Sequence, residues 1–422
     1  MDKFIIEGGT PLIGAVHISG SKNAALPVIA GALLANSPVI INNIPRLQDI
    51  YTFNNVLRVV GAKVDFKEKE NSIHIDPTQV SYLEAPYDLV RKMRASFYML
   101  GALVGKHGYA KVSLPGGCAW GPRPVDLHLK GMEAMGIDIS LDKGYVIARA
   151  KDTIPGGSFT LNPSSVGATV NLLLASVLKA TEFIIHNAAK EPDVVQLCNM
   201  LLQMGANIEG IGTNTLTIRK VETLSGINIH NDPDRIELGT YMIAGAMHPK
   251  SDVLLTGCNP EQLGNFPDLL KETGTEVIIN GTEIRVKATD KLQPVSIETA
   301  IYPGFPTDLQ AQWATMLTQA HGSSSVTDTV YFDRFSYVPE LVRLGADMHV
   351  NKNKVTINGK TSLSGASVMS TDLRASVSLV LAAMVSEKTT EVLRVYHLDR
   401  GYEALEHKLN PVGAKIRRVE DN

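Results

Sequence analysis

The chain has 422 residues, of which 44% are hydrophobic and 20% charged, with a formal net charge of −3. Because that length exceeds a single ordinary hydrophobic core, we expect two domains of about 200 residues each. The slightly negative net charge does not indicate the basic surface typical of nucleic-acid-binding proteins, so nucleic-acid binding is not expected. No apolar run reaches the roughly 18 residues of a membrane-spanning helix, so membrane insertion is not expected either.

The cysteines and the first residues predict a cytoplasmic protein. Residues 1–7 lack the cationic and apolar segments of a secretory signal. Cys118, Cys198 and Cys258 are odd in number and far apart, which favours a reducing compartment over a disulfide framework. No metal-ligand spacing and no glycine motif for dinucleotides or phosphates is present, so the sequence predicts neither a metal nor a cofactor.

After a first strand at residues 3–7, one unit repeats six times. Its signature is Gly-x-x-apolar after an amphipathic run, at intervals of 68 to 75 residues. Each glycine is expected just beyond a helix, in the left-handed conformation, with a strand following. The six positions are Gly61, Gly136, Gly205, Gly274, Gly345 and Gly413.

Upstream of each signature lies a second helix that is apolar almost all round and is therefore predicted to be buried. These helices begin near Lys22, Arg94, Gly167, Arg235, Asp308 and Arg374. A β-rich segment separates the two helices, so each unit is strand–helix–strand–helix–strand–strand. Buried helices with sheets outside them are the reverse of a doubly wound fold.

Six units divided between two domains give three units per domain. The strands of the third unit lead through residues 231–233 into the fourth, where we place the crossing between domains. The predicted domains are residues 22–231, and residues 1–21 together with 232–422. The first strand could pair with either domain.

Cations at the helix starts suggest bound anions, because Lys or Arg at a helix N-terminus opposes the macrodipole. For Arg235 and Arg374, the nearby Asp234 and Asp372 are alternative partners, and both interpretations stay open. Lys22 has no carboxylate close in sequence, which favours an anion there. If the buried helices run in one direction, their N-termini can face one positive cleft that suits a phosphate, a diphosphate or a carboxylate.

The segment 114–128 is rich in glycine and proline and still carries a thiol, a guanidinium, a carboxylate and an imidazole: Cys118, Arg123, Asp126 and His128. Such a loop on a rigid scaffold is a common place for chemistry. Taken alone, however, a single cysteine is more often a small buried apolar residue than a nucleophile.

Several motifs resemble those of the bacterial UDP-N-acetylglucosamine 1-carboxyvinyltransferase family of enolpyruvyl transferases. They are residues 20–25, 93–96, the Cys118 loop, 306–308, 371–376 and 399–402, in order over essentially the whole chain. The resemblance implies a two-domain inside-out α/β barrel with its active site in the interdomain cleft. It also implies transfer of the enolpyruvyl group of phosphoenolpyruvate to the 3′-hydroxyl of UDP-N-acetylglucosamine with release of phosphate, the first committed step of peptidoglycan synthesis.

The same resemblance assigns roles to residues. Lys22, Arg123 and Arg400 would hold the phosphate and carboxylate of phosphoenolpyruvate. Cys118 resembles the proton donor, which in the family also forms a covalent adduct with phosphoenolpyruvate, and Asp308 resembles the base at the sugar hydroxyl. The expected catalytic set is Cys118, Asp308, Lys22 and Arg400. The expected substrate-binding set is Lys22, Asn23, Arg94, Arg123, Pro124, Val125, Asp126, Leu127, Asp308, Val330, Arg374 and Arg400.

Two positions depart from the family pattern. Pro163 stands where some members carry a lysine that reaches the nucleotide, so no nucleotide contact is assigned there. Trp120, beside the thiol, is bulkier than the family residue, which bears on closure of the loop.

Two alternative functions remain. The sister enolpyruvyl transferase that acts on shikimate 3-phosphate does not use a loop cysteine, so Cys118 and residues 123–127 favour the nucleotide sugar. A non-catalytic paralogue that binds UDP-sugars is disfavoured by the presence of Cys118, Asp308 and Lys22. The sequence does not predict an oligomeric state.

Overall fold

A computed structural model describes residues 2–90, 93–115 and 125–420. The chain divides into two compact units, which we call the central unit (residues 20–232) and the terminal unit (residues 1–19 with 233–422). In the described part of the chain, each unit contains three four-stranded sheets. The expected six repeats, three per unit, are confirmed.

The strands follow one another along the described residues in a regular series. In chain order they are β1 (Asp2–Ile6), β2 (Ile13–His17), β3 (Val39–Asn42), β4 (Lys63–Lys67), β5 (Ser72–Asp76), β6 (Glu84–Ala85), β7 (Tyr109–Ser113), β8 (Asp138–Asp142), β9 (Tyr145–Arg149), β10 (Ile154–Thr160), β11 (Ala180–His186), β12 (Asn207–Glu209), β13 (Thr215–Arg219), β14 (Asn228–His230), β15 (Asp252–Thr256), β16 (Glu276–Asn280), β17 (Glu283–Lys287), β18 (Ile297–Glu298), β19 (Ser323–Thr327), β20 (Met348–Asn351), β21 (Lys354–Asn358), β22 (Ser367–Met369), β23 (Thr390–Leu393) and β24 (Ile416–Glu420).

Two helices lie between the strands of each repeat in the described residues, and the second repeat has an additional short helix, α3 (Tyr87–Val90). In chain order the α-helices are α1 (Lys22–Gly31), α2 (Gln48–Val60), α3 (Tyr87–Val90), α4 (Tyr98–His107), α5 (Asp126–Met135), α6 (Val166–Ser176), α7 (Pro192–Met204), α8 (Arg235–Met247), α9 (Phe266–Glu272), α10 (Gln310–Leu317), α11 (Val338–Arg343), α12 (Leu373–Val385) and α13 (Leu405–Leu409). Short 3₁₀ segments, Arg94–Phe97 and Thr307–Leu309, lead into α4 and α10.

The first repeat shows the sheet pattern. β3 pairs antiparallel with β5, β5 pairs antiparallel with β4, and β14 adds a parallel strand to β3. The other sheets have the same order: a parallel pair first, then two antiparallel neighbours. In the sixth sheet β1 takes the place between β23 and β24. The first strand therefore belongs to the terminal unit, which answers a question that the sequence left open.

The first helix of each repeat forms the core. Residues 168–176 of α6, 236–247 of α8 and 374–384 of α12 are all buried, as predicted from their uniformly apolar sequences. In the central unit α4 packs very closely on α6. The helices are so close at Gly105 that a Cβ there would overlap the carbonyl oxygen of Leu174. All six signature glycines have φ between 88° and 118°, so the predicted left-handed helix ends are confirmed.

Candidate active site

Lys22 is the first residue of α1, and the chain around it is tightly held. Ser21 caps the helix, its Oγ accepting a hydrogen bond from the Ala24 amide at 3.1 Å. Before it, Gly20 lies so close to Asn43 that a Cβ would overlap the Asn43 carbonyl oxygen. Asn231 donates to the carbonyl oxygen of Ser21 at 3.0 Å. The position of Lys22 is thus fixed by the backbone on either side of it.

The Lys22 ammonium lies 2.9 Å from the carboxylate of Asp49 in the first turn of α2. The two side chains are only 12% and 6% exposed. Lys22 has no carboxylate close in sequence, but helix packing supplies one from 27 residues away. Asp49 therefore balances the charge of Lys22 without a bound anion. The ammonium has three N–H donors, so it can contact Asp49 and an anion at the same time. Asn23, the next residue, is half-buried.

Asp308, in the 3₁₀ turn before α10, lies between two arginines of the same unit. Its Oδ2 contacts Arg374 Nη2 at 2.7 Å, and its Oδ1 contacts Arg334 Nη1 at 2.8 Å. Burial by itself would raise the pKa of Asp308, but Arg374 and Arg334 outweigh it and hold that pKa well below its usual range. Asp308 is therefore a carboxylate throughout the neutral range.

The aspartates beside the helix-start arginines act as N-caps. Asp372 accepts hydrogen bonds from the amides of Arg374 and Ala375, at 2.8 and 3.1 Å. At the start of α8, Asp234 accepts hydrogen bonds from the amides of Ile236 and Glu237, at 2.8 and 3.0 Å. The alternative in which Asp372 neutralises Arg374 is wrong, since Arg374 pairs with Asp308 instead. Arg235 lies over the ring of Tyr302, with 5.7 Å between guanidinium carbon and ring centroid.

Arg334 is a neighbour of Asp308 that no sequence motif indicates. It lies in the loop that also carries Val330, and Asp328 organises this loop. The Asp328 carboxylate is fully buried and accepts from the amides of Val330 and Tyr331, at 2.9 and 2.8 Å, and from the Thr307 hydroxyl at 2.6 Å. Thr307 in turn accepts from Arg334 at 3.2 Å. One buried carboxylate thus fixes both the start of the Asp308 turn and the Val330 loop.

The loop expected to carry the thiol is described only at its two ends. Cys118, Trp120, Arg123 and Pro124 lie outside the described residues. Arg94 begins the 3₁₀ turn before α4, but its side chain also lies outside the description.

After the loop, Val125 and Leu127 are half-buried and Asp126 is exposed in the first turn of α5. His128 is buried, and its Nδ1 lies 2.8 Å from the Asn171 amide nitrogen on α6. Asn171 also accepts from the Gly101 amide at 2.8 Å. His128 is thereby tied, through Asn171 on α6, to the backbone of α4.

The remaining predicted residues are placed as follows. Val330 is 36% exposed, and Arg400 is half-buried at the end of the 3₁₀ segment Val395–Arg400. Pro163 lies in an exposed stretch before α6. The structure therefore brings Asp308, Arg374 and Val330 into one region of the terminal unit, and places Lys22 and Asn23 together in the central unit.

Within residues 2–90, 93–115 and 125–420, no group of three His, Cys, Asp or Glu side chains could hold a metal ion. Over the same residues, no helix has the length and apolar character needed to cross a membrane.

Comparison with known proteins decides the family. The profile of the EPSP synthase (3-phosphoshikimate 1-carboxyvinyltransferase) family matches residues 6–409. A UDP-N-acetylglucosamine 1-carboxyvinyltransferase of Chloroherpeton thalassium is 50% identical over 99% of this chain and 97% of its own. The chain belongs to the enolpyruvyl transferase family.

Further likenesses agree with this family. A UDP-N-acetylglucosamine 1-carboxyvinyltransferase of Desulfosudis oleivorans is 48% identical over 99% of this chain and 100% of its own. The crystal structure of the enolpyruvyl transferase NikO from Streptomyces tendae superposes with a TM-score of 0.90 at 27% identity, covering 100% of this chain and 99% of that one. EPSP synthase from Acinetobacter baumannii has the same fold, with a TM-score of 0.78 at 18% identity over 100% of both chains. The inside-out α/β barrel expected from the motifs is thereby confirmed.

Proposed function

We propose that this enolpyruvyl transferase moves the enolpyruvyl group of phosphoenolpyruvate to the 3′-hydroxyl of UDP-N-acetylglucosamine and releases phosphate, the first committed step of peptidoglycan synthesis. The observation that carries the proposal is the 46–50% identity, over nearly the full chain, to proteins named for this reaction. The protein would act in the cytoplasm, in keeping with its three scattered cysteines.

The reaction is an addition followed by an elimination. C3 of phosphoenolpyruvate gains a proton while the sugar hydroxyl attacks C2, giving a tetrahedral ketal. That ketal then loses phosphate from C2 and a proton from C3, which restores the C2–C3 double bond in the enolpyruvyl group now attached to the sugar oxygen. Overall, the proton of the sugar hydroxyl leaves with the phosphate. Cys118 is proposed to give and retake the proton at C3, because a thiol can act as a general acid and its thiolate as the matching general base.

Cationic residues stabilise the leaving phosphate. We propose that Lys22, Arg123 and Arg400 hold the phosphate and carboxylate of phosphoenolpyruvate, where positive charge offsets the charge on the departing oxygen. The nucleotide sugar would contact Asn23, Arg94, Val330, Arg374 and residues 123–127. These assignments follow the family motifs, and the half-buried positions of Asn23 and Arg400 and the exposed position of Val330 are compatible with ligand contact.

Asp308 is proposed to receive the hydrogen bond of the sugar 3′-hydroxyl. Its two arginine contacts use one lone pair on each carboxylate oxygen, so acceptor sites remain. The low pKa makes Asp308 a weak proton acceptor in the absence of substrate, so its main contribution would be to orient the hydroxyl towards C2. Full proton transfer to it would require loosening of an arginine contact.

The acceptor decides between the competing functions. We expect phosphate release from phosphoenolpyruvate with UDP-N-acetylglucosamine and none above background with shikimate 3-phosphate, measured by a colorimetric phosphate assay. Release with shikimate 3-phosphate alone would contradict the proposal in favour of the sister reaction. Binding of UDP-N-acetylglucosamine in calorimetry with no release of phosphate would indicate the non-catalytic paralogue.

Asp328 should matter for the nucleotide sugar without touching it. In Asp328→Asn, one oxygen that accepts from the Thr307 hydroxyl becomes a donor, which disturbs the Thr307–Arg334 contact. We expect the KM for UDP-N-acetylglucosamine to rise several-fold and the free energy of unfolding to fall by about 1–3 kcal/mol. Steady-state kinetics and urea titrations measure the two effects.

A matched control for Asp328 is Asp347→Asn, at a half-exposed carboxylate that accepts from Asn358. That variant should behave like wild type in both measurements. If Asp328→Asn also keeps the wild-type KM, the Val330 loop does not depend on this carboxylate.

A further inference from the structure

The hydroxyl of Tyr402 lies where three core helices of the terminal unit meet. Tyr402 is 1% exposed. Its hydroxyl is 2.8 Å from Thr240 Oγ1 on α8, 3.3 Å from Gln312 Nε2 on α10 and 3.3 Å from Arg374 Nη1 on α12. A single buried oxygen therefore contacts each of the helices that start beside Asp308.

The backbone before Tyr402 explains this placement. Gly401 lies against the first residue of α12, and a Cβ there would lie 2.5 Å from Leu373 Cδ2. Two residues earlier, Asp399 is held by the Arg418 guanidinium through contacts of 2.7 and 3.0 Å. The chain from Asp399 to Tyr402 is thus pinned at one end by an ion pair and at the other by close packing.

The direction of each hydrogen bond at this junction follows from the donors available. Arg374 and the Gln312 amide nitrogen can only donate, so the Tyr402 oxygen accepts from both. Thr240 already donates its proton to the Ile236 carbonyl at 2.7 Å, so it must accept the proton of Tyr402. Burial raises the pKa of Tyr402, which keeps that proton in place at neutral pH.

The same guanidinium joins this junction to the candidate site. Arg374 offers Nη1 to Tyr402 at 3.3 Å and Nη2 to Asp308 at 2.7 Å. Because a guanidinium is planar and rigid, fixing one amino group sets the direction of the other. Gln312 adds a second link, since it also donates to the Asp308 carbonyl at 2.9 Å.

We propose that Tyr402 is a positioning residue: its hydroxyl orients Arg374 and, through Arg374, the carboxylate of Asp308. The consequence for turnover rests on the proposed function, because there Asp308 directs the attacking sugar hydroxyl. Without the phenol oxygen, the guanidinium turns away from Asp308 and the carboxylate loses its alignment. Errors of about 1 Å in such alignment cost up to about 100-fold in rate.

Tyr402→Phe removes the oxygen alone and should lower kcat between about 10- and 100-fold. Tyr241→Phe is the matched control, because the Tyr241 hydroxyl is equally buried in the same unit and donates its single proton to Glu237 at 3.2 Å. Both variants lose one buried hydroxyl, but only Tyr402→Phe should change kcat. If the two variants have kcat within twofold of each other, the proposal is overturned.

A double-mutant cycle tests whether Tyr402 acts through Arg374. Lysine lacks the two amino groups through which Arg374 contacts Tyr402 and Asp308, so Arg374→Lys already breaks the link between them. Adding Tyr402→Phe to Arg374→Lys should therefore change kcat less than twofold. Full additivity of the two losses would mean that Tyr402 serves only the fold. Adding Tyr241→Phe to the same background supplies the comparison.

Crystal structures of wild type and Tyr402→Phe decide the point independently of any assay. The expected result is a rotated or multiply oriented Arg374 with a lengthened contact to Asp308. An Arg374 that keeps its orientation and its Asp308 contact would overturn the positioning role. Wild-type protein that releases phosphate with neither acceptor would instead refute the proposed function, and the crystallographic comparison would still test Tyr402.

Discussion

Of the three cysteines, only Cys118 should react rapidly with fosfomycin, an epoxide whose phosphonate mimics the phosphate of phosphoenolpyruvate. The two other thiols are buried, Cys198 in the middle of α7 and Cys258 just after β15. Burial raises the pKa of Cys198 to about 12 and that of Cys258 to about 11. At pH 7.5 their thiolate fractions are then on the order of 10⁻³ or less, and only the thiolate opens an epoxide.

Peptide mass spectrometry after timed exposure to fosfomycin measures the labelling directly. We expect one adduct per chain, on Cys118, forming in step with the loss of phosphate release. Cys118→Ser should remove both labelling and most activity. Cys118→Asp should keep turnover, since a carboxyl can also deliver a proton, while being insensitive to the epoxide. Labelling of Cys198 or Cys258 at the same rate in the folded protein would refute the assignment of the reactive thiol.

Features encoded by short stretches of sequence were the ones that could be predicted. The six helix-ending glycines depend on local backbone conformation, and Gly61 and its five counterparts all adopt it. The burial of α6 or α12 follows from composition alone, because a helix that is apolar all round has no face for water. Sequence periodicity therefore predicted the repeat, the buried layer and the number of units.

Long-range partners could not be predicted in the same way. Asp49 reaches Lys22 only because α2 packs beside α1, and Arg334 reaches Asp308 across a loop. The sequence pointed instead to the nearest aspartates, such as Asp372, which the structure uses as a helix cap. Likewise β1 has an ordinary strand pattern, which does not specify which sheet it joins. Tertiary packing decides which charged side chains form ion pairs.

Replacing Lys22 by alanine should weaken phosphoenolpyruvate binding by about 1.5–3 kcal/mol, the usual contribution of a charge-assisted hydrogen bond. That corresponds to roughly a 10- to 150-fold higher Kd. The ion pair with Asp49 adds a second effect, because the nearly buried carboxylate loses the ammonium that lies 2.9 Å away. Removing one partner of a buried pair typically costs about 3–5 kcal/mol of stability.

Two further variants separate donor binding from folding. Lys22→Ala combined with Asp49→Asn removes both charges, so stability should largely return while phosphoenolpyruvate affinity stays low. Asp49→Asn alone keeps the ammonium and should bind the donor at least as well as wild type. Lys111→Ala, which breaks a more exposed ion pair with Glu84 at 3.1 Å in the central unit, should leave the donor Kd unchanged.

Calorimetric titration with phosphoenolpyruvate and thermal unfolding on the same samples give the two readouts. If the double variant regains wild-type donor affinity, the loss in Lys22→Ala came from folding and not from a missing cation. If Lys22→Ala binds the donor as wild type does, the ammonium serves Asp49 and not the donor phosphate. The expected pattern, restored stability with weak donor binding, arises only if the Lys22 ammonium holds the fold through Asp49 and also contacts the substrate.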